Sequence, residues 1–151
     1  MKHKQETRVE PLNTSSIYFG VKYNNNFVLL NNGKHIIGVN GGNVKNLIIE
    51  NIENGKADNF GWGKSSKIYI TNLFYDEDTG FLYSGDCHSR LYKYKVYISS
   101  KSCERVKDYG DLEIGSIISS HRFMHFVFFG GNLNKIKVFD LSTGELLSGN
   151  L

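Results

Sequence analysis

Five soft metal ligands lie in the second half of a 151-residue chain: Cys87, His88, Cys103, His121 and His125. His121 and His125 carry the spacing of a zinc-finger histidine pair, and thiolates and imidazoles are the usual zinc donors. The matching cysteine pair is absent. Cys87 and His88 are adjacent, where a chelating pair needs two intervening residues. No metal site is expected from this set, and no cofactor.

Nucleophilic catalysis needs a nucleophile, a base and an orienting group in contact. Ser, His and Asp are all present, but no Gly-x-Ser-x-Gly elbow occurs. Asp76-Glu77-Asp78 is a carboxylate cluster. A calcium loop would alternate its ligands and add a distant Glu; this run ends at Thr79-Gly80 and reads as a hairpin turn. Gly41-Gly42 and Gly130-Gly131 precede no helical pattern, so they read as hairpin glycines and not as phosphate cradles.

The elements that hold these residues are short. Apolar runs cover residues 17–23, 27–30, 36–39, 47–49, 68–75, 81–83, 91–98, 114–118, 126–129 and 136–141. Between them stand turn clusters such as Asn31-Asn32-Gly33, Asn40-Gly41-Gly42, Asp76 to Gly80 and Ser142-Thr143-Gly144. The helix formers Ala, Met and Gln are scarce. Short aromatic and β-branched runs punctuated by Gly, Asn and Asp predict an all-β fold of hairpin-linked strands. Phe126, Phe128, Phe139 and Tyr92 fall within strands and read as core.

The strands repeat. Gly41 to Lys56 (GGNVKNLIIENIENGK) aligns without a gap on Gly130 to Glu145 (GGNLNKIKVFDLSTGE), an offset of 89 throughout. Leu47 then matches Ile136, and Gly55 matches Gly144. Half that offset lands on LYSGDCHSRLYKY, where Leu91 takes the place of Ile136. An aromatic-Gly pair recurs at Phe19-Gly20, Phe60-Gly61 and Tyr109-Gly110. Each unit reads as four strands, the second ending in Gly and the fourth in aromatic-Gly.

A four-stranded unit of about 45 residues is the period of one propeller blade. The residues resemble a divergent WD-repeat protein. Phe126 to Gly131 and Lys137 to Leu146 look like the second and third strands of such a blade, with Phe139-Asp140 where the family places Trp-Asp. Ser84-Gly85-Asp86 looks like the usual end of a second strand. No Gly-His or Trp-Asp dipeptide occurs, and the family's buried Asp falls on Val44, His88 and Leu133. Kelch-like and quinoprotein-like blades share this period.

The expectation is therefore an incomplete ring of about three blades over residues 17–151, preceded by a flexible tail over 1–16. A closed ring needs about four blades or more. The last unit reads as lacking its fourth strand. In WD-repeat propellers an N-terminal strand commonly fills that place, and the segment around Ile17 would do so here. The chain is then either part of a longer propeller or completed by other blades, with a homodimer of six blades as one form. Exposed strand edges would make the join.

Hydrophobic residues make up 40% and charged residues 22%, with a net charge of +3. That composition excludes a disordered chain. The Lys and Arg are dispersed rather than gathered on one face, which argues against a nucleic-acid partner. Nothing approaches the roughly 18 apolar residues of a membrane span. The N-terminus has no apolar core of a signal peptide. Two cysteines are too few for a disulfide scaffold, so a cytoplasmic chain with reduced thiols is expected.

The resemblance implies a non-catalytic scaffold that binds protein partners, with no catalytic residues. Loops after second and fourth strands share one end of a blade. That gathers Trp62, Lys64, His88, Arg90, Asn132 and Asn134 as a candidate partner surface, with Trp62 held between Gly61 and Gly63. The alternatives are a propeller-fold hydrolase, and an RNA-contacting module using Trp62, Lys64 and Arg90.

Overall fold

The computed structural model describes residues 27–30, 34–39, 47–51, 56–60, 70–100 and 102–149. The tail over 1–16, the Ile17 segment, Trp62 and Lys64 lie outside the described residues. Among the described residues there is no helix, and so none long and apolar enough to cross a membrane.

Among the described residues, twelve strands form three antiparallel sheets of four. The first contains β1 (Phe27–Leu30), β2 (His35–Val39), β3 (Leu47–Asn51) and β4 (Lys56–Phe60). The second contains β5 (Ile70–Asp76), β6 (Phe81–Asp86), β7 (Arg90–Tyr97) and β8 (Ser102–Asp111). The third contains β9 (Ile117–Phe123), β10 (Phe126–Gly131), β11 (Ile136–Asp140) and β12 (Glu145–Leu146). Strand order follows the chain in every sheet, so each is a simple meander. The first strands stand side by side, β5 touching both β1 and β9, while the fourth strands lie outermost.

The repeat is real at the level of register. Leu47 faces Val39, Leu91 faces Gly85 and Ile136 faces Gly130, each at the end of its second strand. The equivalence of Leu47, Leu91 and Ile136 thus holds in three dimensions. The gap-free alignment of Gly41 on Gly130 does not. Val39 occupies the glycine position in the first sheet, two residues earlier than the sequence match places it. Identical Gly-Gly-Asn triplets drew the alignment, whereas pairing of the strands sets the register.

A second difference concerns the end of the third sheet. The sequence leaves it without a fourth strand, yet β12 pairs with Phe139 and Asp140, and the Leu147 amide adds a bond to the Val138 carbonyl at 2.8 Å. It is a stub: β8, its counterpart, has 10 residues.

Side chains alternate across each strand, so each sheet has two faces. One apolar layer joins the first and second sheets through Leu30, Ile37, Leu73, Leu82 and Tyr94. Another joins the second and third through Tyr83, Leu91, Leu112, Ile114, Ile117, Val127, Phe129 and Phe139. The second sheet is therefore covered on both faces, and β6 is buried from Leu82 to Asp86 without interruption. In β10 burial alternates: Val127, Phe129 and Gly131 are buried, while Phe126, Phe128 and Gly130 are only partly so. Phe139 is core as expected, its ring edge-on to both Tyr83 and Tyr109 with centroids 5.1 Å apart. Phe126 and Phe128 are not, because they face away from the second sheet.

Candidate functional site

Asp86 ends β6 and is buried. Its Oδ1 accepts the His88 amide at 2.8 Å and the Arg90 amide at 3.0 Å, which turns the chain tightly into β7. Ser89 sits inside that turn with φ 65°, a left-handed conformation that serine seldom adopts. Asn134 holds the matching place in the third sheet at φ 57°. Asparagine tolerates this region, so the β10–β11 turn needs less support. Ser89 is held by two bonds from the segment joining β8 to β9. Its carbonyl accepts the Leu112 amide at 2.7 Å, and its Oγ accepts the Ile114 amide at 2.9 Å.

The same segment is tied to the third sheet. Asn132 Oδ1 accepts the Ser116 amide at 3.0 Å, and the Asn132 amide donates to the Ser116 carbonyl at 3.1 Å. The Leu133 amide donates to the Ile114 carbonyl at 3.2 Å. Gly131 permits this approach, because a Cβ there would collide with the Ile114 carbonyl oxygen. Residues 112–116 thus bridge the β6–β7 and β10–β11 loops. Within the bridge Leu112 and Ile114 are buried.

The bridge sets His88, Arg90, Asn132 and Asn134 at one end of the second and third sheets. His88, Asn132 and Asn134 are exposed, and Arg90 is half-buried with its guanidinium 3.8 Å from Asp108. Leu133 stands among them, 58% exposed. Trp62 and Lys64 were assigned to the same end and lie outside the described residues. Ser89 and Asp86 were missed. The signal for Ser89 was its offset of 45 from Asn134, the same offset that links Leu91 to Ile136.

The opposite end holds the carboxylates. Asp76 is buried; its Oδ1 accepts the Asp78 amide at 3.1 Å and its Oδ2 accepts the Thr79 hydroxyl at 2.7 Å. Asp140 makes the same turn, accepting the Ser142 amide at 2.9 Å. The Ser142 hydroxyl first, and then that amide, hold its carboxyl below the ordinary range, with His125 adding a smaller pull. In both turns a glycine amide closes back on the Asp carbonyl at 2.8 Å, Gly80 on Asp76 and Gly144 on Asp140. Asp76 and Asp78 also receive Arg122 from the third sheet. The Asp76–Asp78 cluster is therefore a turn whose two aspartates share one arginine.

No three metal-ligating side chains converge among the described residues. His121 and His125 belong to β9 and the β9–β10 turn, while Cys87 and His88 occupy the β6–β7 loop at the far end of the sheets. Cys103 lies against the first apolar layer, and burial pushes its thiol up to about 11.

No protein-family model matches the chain, and no curated protein matches it either. Solved structures do. A chain of a mitotic checkpoint complex superposes with a TM-score of 0.63 at 14% identity, over 83% of this chain and 36% of that one. A periplasmic gluconolactonase, PpgL of Pseudomonas aeruginosa, superposes with a TM-score of 0.62 at 15% identity, over 83% of this chain and 38% of that one. Both are β-propellers. The described residues of this chain fold as three propeller blades. The chain spans little more than a third of either neighbour's length. At such identities the likeness concerns the fold alone.

Proposed function

We propose that this chain is a non-catalytic protein-interaction scaffold of WD-repeat type, contacted at the blade end that carries His88, Arg90, Asn132, Leu133 and Asn134. The observation that supports this reading is the bridge over residues 112–116, which ties loops of two blades into one surface. Binding to a preorganised surface avoids most of the cost of ordering loops. The exposed Leu133 between polar neighbours supplies an apolar anchor with a polar rim. The ring is completed by further blades.

A photo-cross-linking residue placed at Leu133, and in a control protein at Val106 on the outer strand β8, tests the reading in extract of the native source. Discrete protein adducts from position 133, suppressed by His88→Ala with Arg90→Ala, are expected. Equal labelling from both positions, or adducts indifferent to the two substitutions, would reject it.

A further inference from the structure

The segment joining β8 to β9 alternates in burial. Leu112 and Ile114 are buried, while Glu113 between them and Asp111 before them are exposed. Glu113 stands at φ 58°, a left-handed backbone uncommon outside glycine, asparagine and aspartate. A turn that needed only that backbone would carry glycine, as the same segment does at Gly115 with φ 79°. Neighbouring bonds hold the residue there. Its amide donates to Asp111 Oδ1 at 2.8 Å, and the amides of Leu112 and Ile114 on either side both donate to Ser89. The Glu113 side chain thus leaves the summit of the bridge towards solvent from a fixed place.

Leu133 lies beside it. Its amide donates to the Ile114 carbonyl at 3.2 Å, and its side chain covers Gly115, where a Cβ would come within 2.8 Å of Leu133 Cγ. Leu133 nevertheless stays 58% exposed. An apolar side chain pinned on the bridge therefore adjoins an unpaired carboxylate. Arg90 reaches Asp108 at 3.8 Å, and among the described residues neither Asp111 nor Glu113 has an ion-pair partner. Lys135, the other cation of the β10–β11 loop, stands beyond Asn134 at the return into β11. The patch sits at the junction of the second and third blades, so it does not depend on where the row of blades ends.

We propose that this blade end selects an extended protein segment carrying an apolar side chain and, two residues away, a lysine or arginine. The apolar side chain seats on Leu133 and the cation pairs with Glu113, with Asp111 adding to the same field. Side chains two apart in an extended segment leave one face about 7 Å from each other, a span that suits groups on adjoining stretches of the bridge. Leu133 supplies contact area, and the carboxylates choose between partners. An exposed charge pair at an interface rim acts mainly on association rate and on discrimination, since a like charge there is repelled. Holding Glu113 and Leu133 in place beforehand spares the cost of ordering them on binding. The assignment rests on the reading of this end as the partner surface, and adds the chemistry of the partner.

A pooled library of end-capped decapeptides tests it. Each peptide has a central Leu or Phe, with Lys, Gln or Glu two residues on, and the pool is passed over the immobilised full chain at about 0.15 M salt. Lys peptides should be retained about tenfold over Glu peptides, with Gln between, and the ratio should shrink as salt rises. Glu113→Gln should bring the ratio close to one, and Glu113→Lys should reverse it, with far-ultraviolet dichroism unchanged in both. Leu133→Ser should lower retention of all three classes together. Retention that needs Leu133 but is blind to peptide charge, or a Lys preference that survives Glu113→Gln, overturns the assignment and leaves the surface standing. Retention indifferent to Leu133, or none, overturns the surface and the assignment with it.

Discussion

Arg122 of the third blade reaches across to Asp76 of the second, Nη1 lying 3.1 Å from Oδ1, on a carboxylate that is itself buried. The same guanidinium places Nη2 2.7 Å from Asp78 and Nε 2.8 Å from the Met124 carbonyl. Those carboxylates, the Asp78 bond first, hold the Arg122 pKa above its usual value. One planar fork thus ties the β5–β6 turn to the β9–β10 turn.

Removing the fork leaves Asp76 buried with turn donors alone. Arg122→Ala is expected to cost about 1–2 kcal/mol in urea unfolding, less than a fully buried pair because Arg122 keeps about a third of its side chain in water. Arg122→Lys should recover only part, since one ammonium cannot serve both carboxylates and the Met124 carbonyl in that geometry. An unchanged midpoint for Arg122→Ala would mean the clamp is ornamental to stability.

Blade spacing depends on Gly85. A Cβ there would lie 2.6 Å from Ile117 Cγ2 and 2.7 Å from Ile117 Cβ, and a β-branched side chain rooted in a strand has little room to yield. Gly85→Ala should destabilise by about 1–3 kcal/mol through overpacking. Combining it with Ile117→Ala should cost less than the two changes added, because the second opens the space the first needs. Strict additivity in that cycle would show that the glycine serves some other purpose.

The inner architecture was legible where strand period and turn chemistry agreed. Leu47, Leu91 and Ile136 were placed as equivalents from the repeat alone, and Phe139 as core from its neighbours. The fourth strands were harder. Lys56–Phe60 and Ser102–Asp111 show little apolar alternation, because outermost strands carry charge against edge pairing. The aromatic-Gly landmark located them, and the two-residue β12 has no such landmark. Phe126 and Phe128 looked like core because apolar strand residues usually are; which face a neighbouring sheet covers is a property of the assembled row. The Arg122–Asp76 and Ser89–Ile114 contacts join residues 46 and 25 apart in sequence and leave no local mark.

The loop bridge should be sensitive at Ser89. Its hydroxyl is the acceptor for the buried Ile114 amide, and loss of that acceptor leaves the donor without a partner. Ser89→Ala should cost about 1–3 kcal/mol and speed hydrogen exchange at the Ile114 amide. Ser89→Gly should cost less, since glycine relaxes the left-handed backbone while losing the same bond. If alanine and glycine behave alike, the φ of 65° carries no strain.

Cys103 should be a slow thiol. With its pKa raised to about 11 by burial, the thiolate is scarce at neutral pH. In a Cys87→Ser protein, disulfide-exchange reagents at pH 8 should label Cys103 about a hundredfold more slowly than the same chain in urea, where the thiol titrates near about 8.5. The rate should climb as pH approaches 11 in the folded protein. Fast labelling at pH 8 without unfolding would place Cys103 outside the apolar layer.

Acid should loosen the β11–β12 turn through Asp140. Its folded pKa is depressed below the ordinary 3.8 by the Ser142 hydroxyl and amide. A depressed carboxylate contributes stability that is present above the unfolded value and disappears as pH falls through the folded one. The thermal midpoint should therefore decline below about pH 4, and more steeply in the wild type than in Asp140→Asn, which has no proton to take up. The asparagine can still accept the Ser142 amide, so the two proteins should converge at low pH. Parallel midpoint curves from pH 6 down to 2, with a constant gap, would show that this carboxylate is not part of the acid response.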